Sequence, residues 1–92
     1  MIYQPTDICI VQRYQSRSTE EGTWTSTENV KAFWIKEDAQ ELAAKMNKLV
    51  AERDSLPYSD RRQNLQEIQD LDDGFDTEYD YTVYSILEMV VS

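Results

Sequence analysis

Hydrophobic and polar residues alternate near the start of the chain. In the segment ICIVQRYQ, Ile8 and Ile10 fall on one face of an extended backbone, and Cys9 and Val11 fall on the other. A period of two is typical of a strand, and apolar residues on both faces indicate burial on both. The pattern therefore predicts a first strand over residues 8–15 that is buried near its start.

A polar hairpin loop and a second extended region follow. SRSTEEGT contains one of only two glycines and predicts the loop. Trp24 to Thr27 (WTST) predicts a second strand, and VKAFWI is either its continuation or a short third strand. Asn29 between them indicates a bulge or bend, and both alternatives stay open. Trp24, Phe33 and Trp34 are interpreted as core residues, with one exposed tryptophan at an interface as the alternative.

The middle of the chain changes to a helical period. Glu37 and Asp38 lie in the predicted first turn, where acidic residues complement the helix dipole, and Pro57 follows the end. The pattern predicts a long helix over residues 36–54 whose apolar stripe faces a sheet or another helix. The stripe consists of Ala39, Leu42, Ala43, Met46, Leu49, Val50 and Arg53.

A second, shorter helix and a closing strand complete the pattern. Ser59 is a candidate N-cap, Leu65 and Ile68 are candidate inward residues, and Gly74 is expected to close the helix. The last strand is predicted over residues 78–91, with apolar residues on both faces. This indicates either an inner strand covered on each side or a protein partner against one face. One face carries Tyr81, Val83, Leu87 and Met89, and the other carries Tyr84, Ile86 and Val90.

Together these elements predict a single α+β domain over residues 1–92. The predicted order is β-β(-β)-α-α-β, because the third short strand is uncertain from the pattern. A three- to four-stranded antiparallel sheet, with the long helix packed on one face and the short helix beside it, is the economical arrangement.

The net charge of −9 is concentrated in the last quarter of the chain. Residues 1–69 carry eleven acids and nine bases, whereas residues 70–92 carry seven acids and no base. Such a field repels nucleic acid and membranes and attracts basic surfaces. We therefore expect a protein or ribonucleoprotein partner, with no membrane and no direct binding of duplex DNA by the acidic quarter.

Several kinds of chemistry are excluded by the composition. The chain has no histidine, one cysteine and two glycines, so it lacks the residues for a Cys/His zinc site, a histidine-assisted nucleophile or a glycine-rich phosphate loop. We expect no enzymatic activity and no cofactor. The lone Cys9 is interpreted as a core residue of a cytoplasmic protein. No signal peptide is recognised, and no apolar run approaches the roughly 20 residues of a membrane span.

The segment DLDDGFDTEYDY, residues 70–81, has three interpretations. As an EF-hand loop it fails, because aligning Gly74 with the loop glycine places Gln69 and Leu71 at the first two ligand positions, and an irregular calcium or magnesium site stays open as the metal alternative. As a DNA mimic it requires a strand from Asp76, which would space alternate carboxylates about 6.6 Å apart, comparable with neighbouring phosphates. As a solvated connection, the segment joins two elements and its charges protect a sheet edge from aggregation. This is the simpler interpretation because it requires no ligand and no partner. The candidate partner contacts are Asp70, Asp72, Asp73, Asp76, Glu78 and Asp80.

Four arginines form an alternative contact set. Arg61 and Arg62 are adjacent, and Arg13 and Arg17 flank the first turn. Beside an aromatic residue such a set binds RNA or phosphate. More often, arginines of this kind pair with nearby carboxylates.

One longer pattern resembles a known group of proteins. In FWIKEDAQELAAKMNKL a short strand ending in aromatic residues runs into a helix, and an acidic spacer then leads to the closing strand YTVYSILEMV. This resembles small accessory proteins encoded by phages and prophages, some of which are anti-CRISPR inhibitors. The resemblance implies a non-catalytic protein of the host cytoplasm that occupies a nucleic-acid-binding groove or wedges between subunits. It carries over no catalytic or ligand residues.

The leading hypothesis is thus a phage-type inhibitor that binds a host nucleoprotein complex, a CRISPR effector, and blocks target DNA binding. The alternative is a small structural or assembly subunit that acts through protein–protein contacts.

Overall fold

The computed structural model describes residues 7–90 of the chain. Three strands form one antiparallel sheet in the order β2-β1-β3, so β1 is the central strand. The fold is α+β with the order β-β-α-α-β, as predicted, and the sheet has three strands. The elements are β1 (Asp7–Thr19), β2 (Gly22–Phe33), α1 (Lys36–Arg53), α2 (Tyr58–Leu71) and β3 (Tyr81–Val90).

The hairpin of β1 and β2 is longer and its turn is shorter than the sequence indicated. Both strands extend into the polar segment SRSTEEGT, and Thr19 pairs directly with Gly22. Gly22 has a φ of +147°, a region that glycine adopts without steric cost. The turn is therefore reduced to Glu20 and Glu21.

The two candidate strands WTST and VKAFWI are parts of one strand with a bulge. Val11 pairs with Lys31 and the next residue, Gln12, pairs with Asn29, so Val30 has no partner in the register. A bulge of this kind bends a strand without ending it. The bulge lies next to Asn29, where the sequence indicated an irregularity.

The last strand lies at an edge of the sheet, because β3 pairs only with β1 among the described strands. The prediction of an inner strand is thus wrong, and β1 takes that position. β3 also begins at Tyr81, later than predicted. Its two apolar faces have different surroundings. Tyr84 and Ile86 lie with Arg13 and Val11 on the side that the helices cover, and the alternate residues lie on the open side.

The long helix α1 packs across one face of the sheet and forms the core with it, as predicted. Ala39, Ala43, Met46 and Leu49 are its buried residues. They lie with Ile68 of α2, Phe75 of the following segment, and Cys9, Val11 and Tyr84 of the sheet in one hydrophobic cluster. Cys9 is therefore a core residue, in agreement with its interpretation. Neither helix within residues 7–90 is long and apolar enough to cross a membrane.

The ends of α2 differ from the prediction. The helix begins at Tyr58 with Pro57 as its N-cap, and no side chain caps it, so Ser59 lies inside the helix. Proline is favourable at a helix start because its fixed φ suits the first turn. The C-cap is Asp72, which comes before Gly74.

The two tryptophans interpreted as core residues lie at the surface. Trp24 is 49% exposed and Trp34 is 64% exposed, whereas Phe33 is partly buried against the core. For Trp24 the cause is the length of the hairpin. β3 reaches only as far as Ser16 along β1, so the end of the hairpin that carries Trp24 extends beyond the third strand.

Candidate functional site

The acidic stretch divides into a buried part and an exposed part, and Asp72 belongs to the buried part. Its side chain is only 5% exposed. Arg13 Nη1 donates to both Asp72 carboxylate oxygens at 2.6 and 2.7 Å, and the Tyr84 hydroxyl donates to Oδ2 at 2.7 Å. The Gly74 N–H donates to Oδ1 at 3.1 Å. Asp72 therefore joins β1, β3 and the end of α2 from inside the protein.

The electrostatics of this network hold its charges in place. Burial lowers the pKa of Arg13, but the hydrogen bond and the negative charge of Asp72 outweigh burial, and the pKa of Arg13 is raised. Burial, and then the hydrogen bond to Asp72, raise the pKa of Tyr84 far above its usual value. Arg13 also reaches the exposed Glu28, at 3.2 Å. Neither Asp72 nor Arg13 is accessible to a partner.

Gly74 has a packing role beside this network. A Cβ atom at this position would lie 2.8 Å from Arg13 Nη1 and 3.1 Å from Nη2. Contacts this short require the neighbouring group to move, and the guanidinium is held by Asp72. Glycine is favoured here because the backbone passes close to the Arg13 guanidinium.

The segment after Gly74 is held against β1 by main-chain and side-chain hydrogen bonds. Gln15 Nε2 donates to the Asp76 carbonyl at 2.9 Å, and the Asp80 N–H donates to the Ser16 carbonyl at 3.0 Å. The Glu78 N–H donates to the Asp76 carboxylate at 2.9 Å and closes a turn. The segment therefore has a defined position beside the hairpin.

An acidic groove of about 610 Å³ lies between this segment and the end of the hairpin. The groove contains four carboxylates and one base, and Trp24 contributes a half-exposed ring. Among the residues that the structure describes, one salt bridge lies inside the groove, and it is long, with Arg17 Nη1 3.9 Å from a Glu78 carboxylate oxygen. The residues that line this acidic groove are Arg17, Thr19, Glu20, Glu21, Trp24, Asp76, Glu78 and Tyr79.

Two of the four groove carboxylates were missed in the sequence. Glu20 and Glu21 are distant from Asp76 along the chain, and the two segments meet because β3 pairs with β1 and Gln15 holds Asp76. The signal that was present is the position of both glutamates in the predicted hairpin loop. The acidic surface thus comes from two segments and not from the last quarter alone.

The regular row of carboxylates that a DNA mimic would need is not formed. That row required an extended strand from Asp76, but β3 begins at Tyr81, and a turn joins Asp76 to Glu78. The groove presents clustered negative charge without a regular spacing.

The other candidate acids are exposed outside the groove. Asp70 lies in the last turn of α2 and accepts a hydrogen bond from Gln66 at 2.8 Å. Asp73 and Asp80 are exposed. These three extend the negative surface, because none of them forms a salt bridge within residues 7–90.

The four candidate arginines lie in three different places. Arg13 is buried and Arg17 lines the acidic groove. Arg61 and Arg62 line a second cavity of about 470 Å³ at the start of α2, together with Arg53, Tyr58, Ser59 and Leu65. Arg61 is already bound to the backbone, because its Nε donates to the Leu56 carbonyl at 3.2 Å. The structure therefore does not bring the four together as one contact surface.

Among residues 7–90, no group of three or more Cys, Asp or Glu side chains is arranged to hold a metal ion.

Comparison of the chain with protein-family models, with curated proteins and with solved structures found no match. The functional argument accordingly rests on the groove itself.

Proposed function

We propose that this protein is a non-catalytic inhibitor whose acidic groove docks onto a cationic, nucleic-acid-binding surface of a host nucleoprotein complex. Following the resemblance of the sequence to phage accessory proteins, the proposed target is a CRISPR effector and the proposed effect is loss of target DNA binding. The observation that supports this most is the grouping of four carboxylates from two segments around a half-exposed tryptophan.

The chemistry of the groove suits lysine and arginine side chains. Carboxylates accept short, charge-assisted hydrogen bonds from both, and arginine can bind one carboxylate through two donors. The face of Trp24 adds a cation–π contact for the same groups. Surfaces that bind nucleic acid present such side chains at phosphate spacing, so they offer several partners to one groove.

The long-range field supports the same partner. A net charge of −9 on 92 residues attracts a basic surface and accelerates the encounter at low salt. The existing salt bridge of Arg17 with Glu78 is long and solvent-exposed, so it contributes little and is readily exchanged for a contact with the partner.

The proposal is tested by the binding of labelled target DNA to a purified CRISPR effector, measured by fluorescence anisotropy as this protein is added. The test variant combines Asp76→Lys and Glu78→Lys. The control combines Glu41→Lys and Glu67→Lys, two exposed helix residues that give the same change in net charge.

We expect the wild type and the control to displace DNA and the groove variant to need a concentration more than about tenfold higher, equivalent to about 1.4 kcal/mol. Displacement that weakens with salt for the wild type but less for the groove variant supports contact by these charges. Equal displacement by all three proteins contradicts the proposal.

A further inference from the structure

The two faces of the sheet differ completely in charge. In the register of the strands, Arg13, Arg17, Glu28, Lys31 and Glu88 all lie on the face that the helices cover. Among residues 7–90, the opposite, open face contains no charged residue. We call it the neutral face: Ile8, Ile10, Gln12, Tyr14, Ser16 and Ser18 of β1, Thr23, Thr25, Thr27, Asn29 and Ala32 of β2, and Tyr81, Val83, Ser85, Leu87 and Met89 of β3.

For the charged residues, this distribution is the reverse of the usual one. An antiparallel sheet with one covered face normally carries its polar and charged residues on the open face. Here 27 of the 92 residues are charged, yet none of them lies on the neutral face. Its apolar end is accessible, since Leu87 is 41% and Met89 is 50% exposed. A sheet face that stays in solvent has no physical reason to exclude charged residues, whereas a face that another protein covers does.

We propose that the neutral face packs against the neutral face of a second copy of this chain in a symmetric dimer. Each copy carries a net charge of −9, so most contacts between copies bring like charges together. Contact between two neutral faces brings no like charges together. A two-fold axis over its apolar end places Leu87 and Met89 of one copy against apolar residues of the other.

The polar residues of the neutral face also fit a second copy. They are threonine, serine, asparagine and glutamine, which each carry a hydrogen-bond donor and an acceptor and can therefore pair with their own kind. A partner with lysine, arginine or acidic side chains would find no opposite charge there, and burying those charges unpaired is costly.

The size of the neutral face suits a modest dimer. Three strands of about ten residues cover about 33 Å by 14 Å at ordinary strand spacings. This flat area of about 460 Å² is smaller than the roughly 800 Å² that each partner buries in a standard interface. Two such sheets pack about 10 Å apart. We expect association in the micromolar range, because an interface of this size has few residues that can contribute strongly.

This inference does not depend on the proposed function. Arg17 and Trp24 lie on the other side of the sheet, so a dimer formed through the neutral face leaves the acidic groove free. Loss of the dimer and loss of DNA displacement are therefore separate outcomes. A dimer also accords with the alternative of an assembly subunit.

The test is sedimentation velocity of the full chain from about 1 to 300 µM, a range that brackets micromolar association. The wild-type mass should rise from the monomer value of 10.8 kDa to twice that value. The variant Leu87→Glu, Met89→Glu should stay monomeric throughout, because two copies would oppose four new negative charges. Both positions are already exposed, so the fold should persist, which far-UV circular dichroism and a melting curve check.

The matched control replaces two exposed hydrophobic residues outside the neutral face, Trp24→Glu and Tyr58→Glu, and should dimerise as the wild type does. A wild type that remains monomeric overturns the inference. So does a dimer that survives the Leu87 and Met89 changes, since it would be formed elsewhere, for instance along the free edge of β3. Equal loss of association in the control would show nonspecific contact and would overturn it too.

Discussion

Asp72 and the pair Asp76 and Glu78 are neighbours in one acidic stretch, and they have opposite roles. Asp72 is buried and binds Arg13 and Tyr84, which lie on two strands of the sheet. Asp76 and Glu78 line an open groove, where Glu78 forms one long salt bridge with Arg17. The comparison shows that the density of charge along a sequence does not determine what each charge does. The role of each carboxylate is determined by the groups that folding places next to it.

The energetic consequence of the difference is large. Removing one member of a buried ion pair leaves an uncompensated charge and costs about 3–5 kcal/mol. Removing an exposed carboxylate changes stability by about 0–1 kcal/mol. Substitutions in the two parts of the stretch should therefore separate stability from binding.

The largest expected effect is that of Asp72→Asn. The change keeps the shape of the side chain but leaves the buried guanidinium of Arg13 without its negative partner, so we expect the free energy of unfolding to fall by about 3–5 kcal/mol. Urea denaturation measures it. The control is the adjacent Asp73→Asn, an exposed position that should change stability by less than about 0.5 kcal/mol. Equal effects of the two changes would mean that Asp72 is not the buried anchor.

Tyr84→Phe should have the next largest effect. It removes a hydrogen bond to a buried carboxylate and should cost about 1.5–3 kcal/mol. Tyr58→Phe, at a side chain that is 89% exposed, is the control and should have little effect.

The same substitution should change the response to alkali. Burial and the Asp72 hydrogen bond raise the pKa of Tyr84 in the folded protein, so the unfolded chain loses this proton first, near pH 10. The contribution of Tyr84 is therefore complete below about pH 10 and declines as the pH rises above it. Denaturation curves between about pH 8 and 11 should show a shallower decline for Tyr84→Phe than for the wild type. An unchanged slope would contradict this role.

Gly74→Ala tests the close approach of the backbone to Arg13. The added methyl group would lie 2.8 Å from Arg13 Nη1, and moving the guanidinium weakens its bonds to Asp72. We expect a loss of about 1–3 kcal/mol, the usual cost of overpacking. Thermal unfolding measures it, and a variant as stable as the wild type would show that Arg13 has room to move.

The smallest effect on stability is expected for the groove variant Asp76→Lys, Glu78→Lys. Both side chains lie outside the core, and the only local hydrogen bond lost is that between the Glu78 N–H and Asp76. The free energy of unfolding should change by about 1 kcal/mol or less. A larger loss of stability would show that Asp76 and Glu78 support the fold as Asp72 does. It would contradict the contrast between the buried and exposed parts of the acidic stretch.

The fold was largely predictable because hydrophobic periodicity is a local property. The stripe on α1 and the two faces of β3 follow from spacing along the chain, whereas the pattern indicated only an irregularity near Asn29 and did not distinguish a bulge from a break. The ends of elements were less predictable: Pro57 begins α2 where Ser59 was expected, and β3 starts at Tyr81.

The site was less predictable because it depends on contacts between distant segments. Arg13 and Asp72 are 59 positions apart, and nothing near either residue indicates the pair. The pairing of β3 with β1, together with the hydrogen bond from Gln15 to Asp76, brings Glu20 and Glu21 near Asp76. Trp24 is exposed because the hairpin extends past β3. The hydrophobic pattern of the sequence does not give the relative lengths of the strands, so it did not predict this exposure.

The most direct test of the acidic groove is a pull-down with three baits from a nuclease-treated lysate of bacteria that express a CRISPR effector, read by mass spectrometry. The baits are the wild type, the groove variant Asp76→Lys, Glu78→Lys, and the control Glu41→Lys, Glu67→Lys. The account predicts effector subunits with the wild type and the control, and at least about tenfold less with the groove variant. Equal recovery with all three baits, or no effector subunits with the wild type, would contradict it.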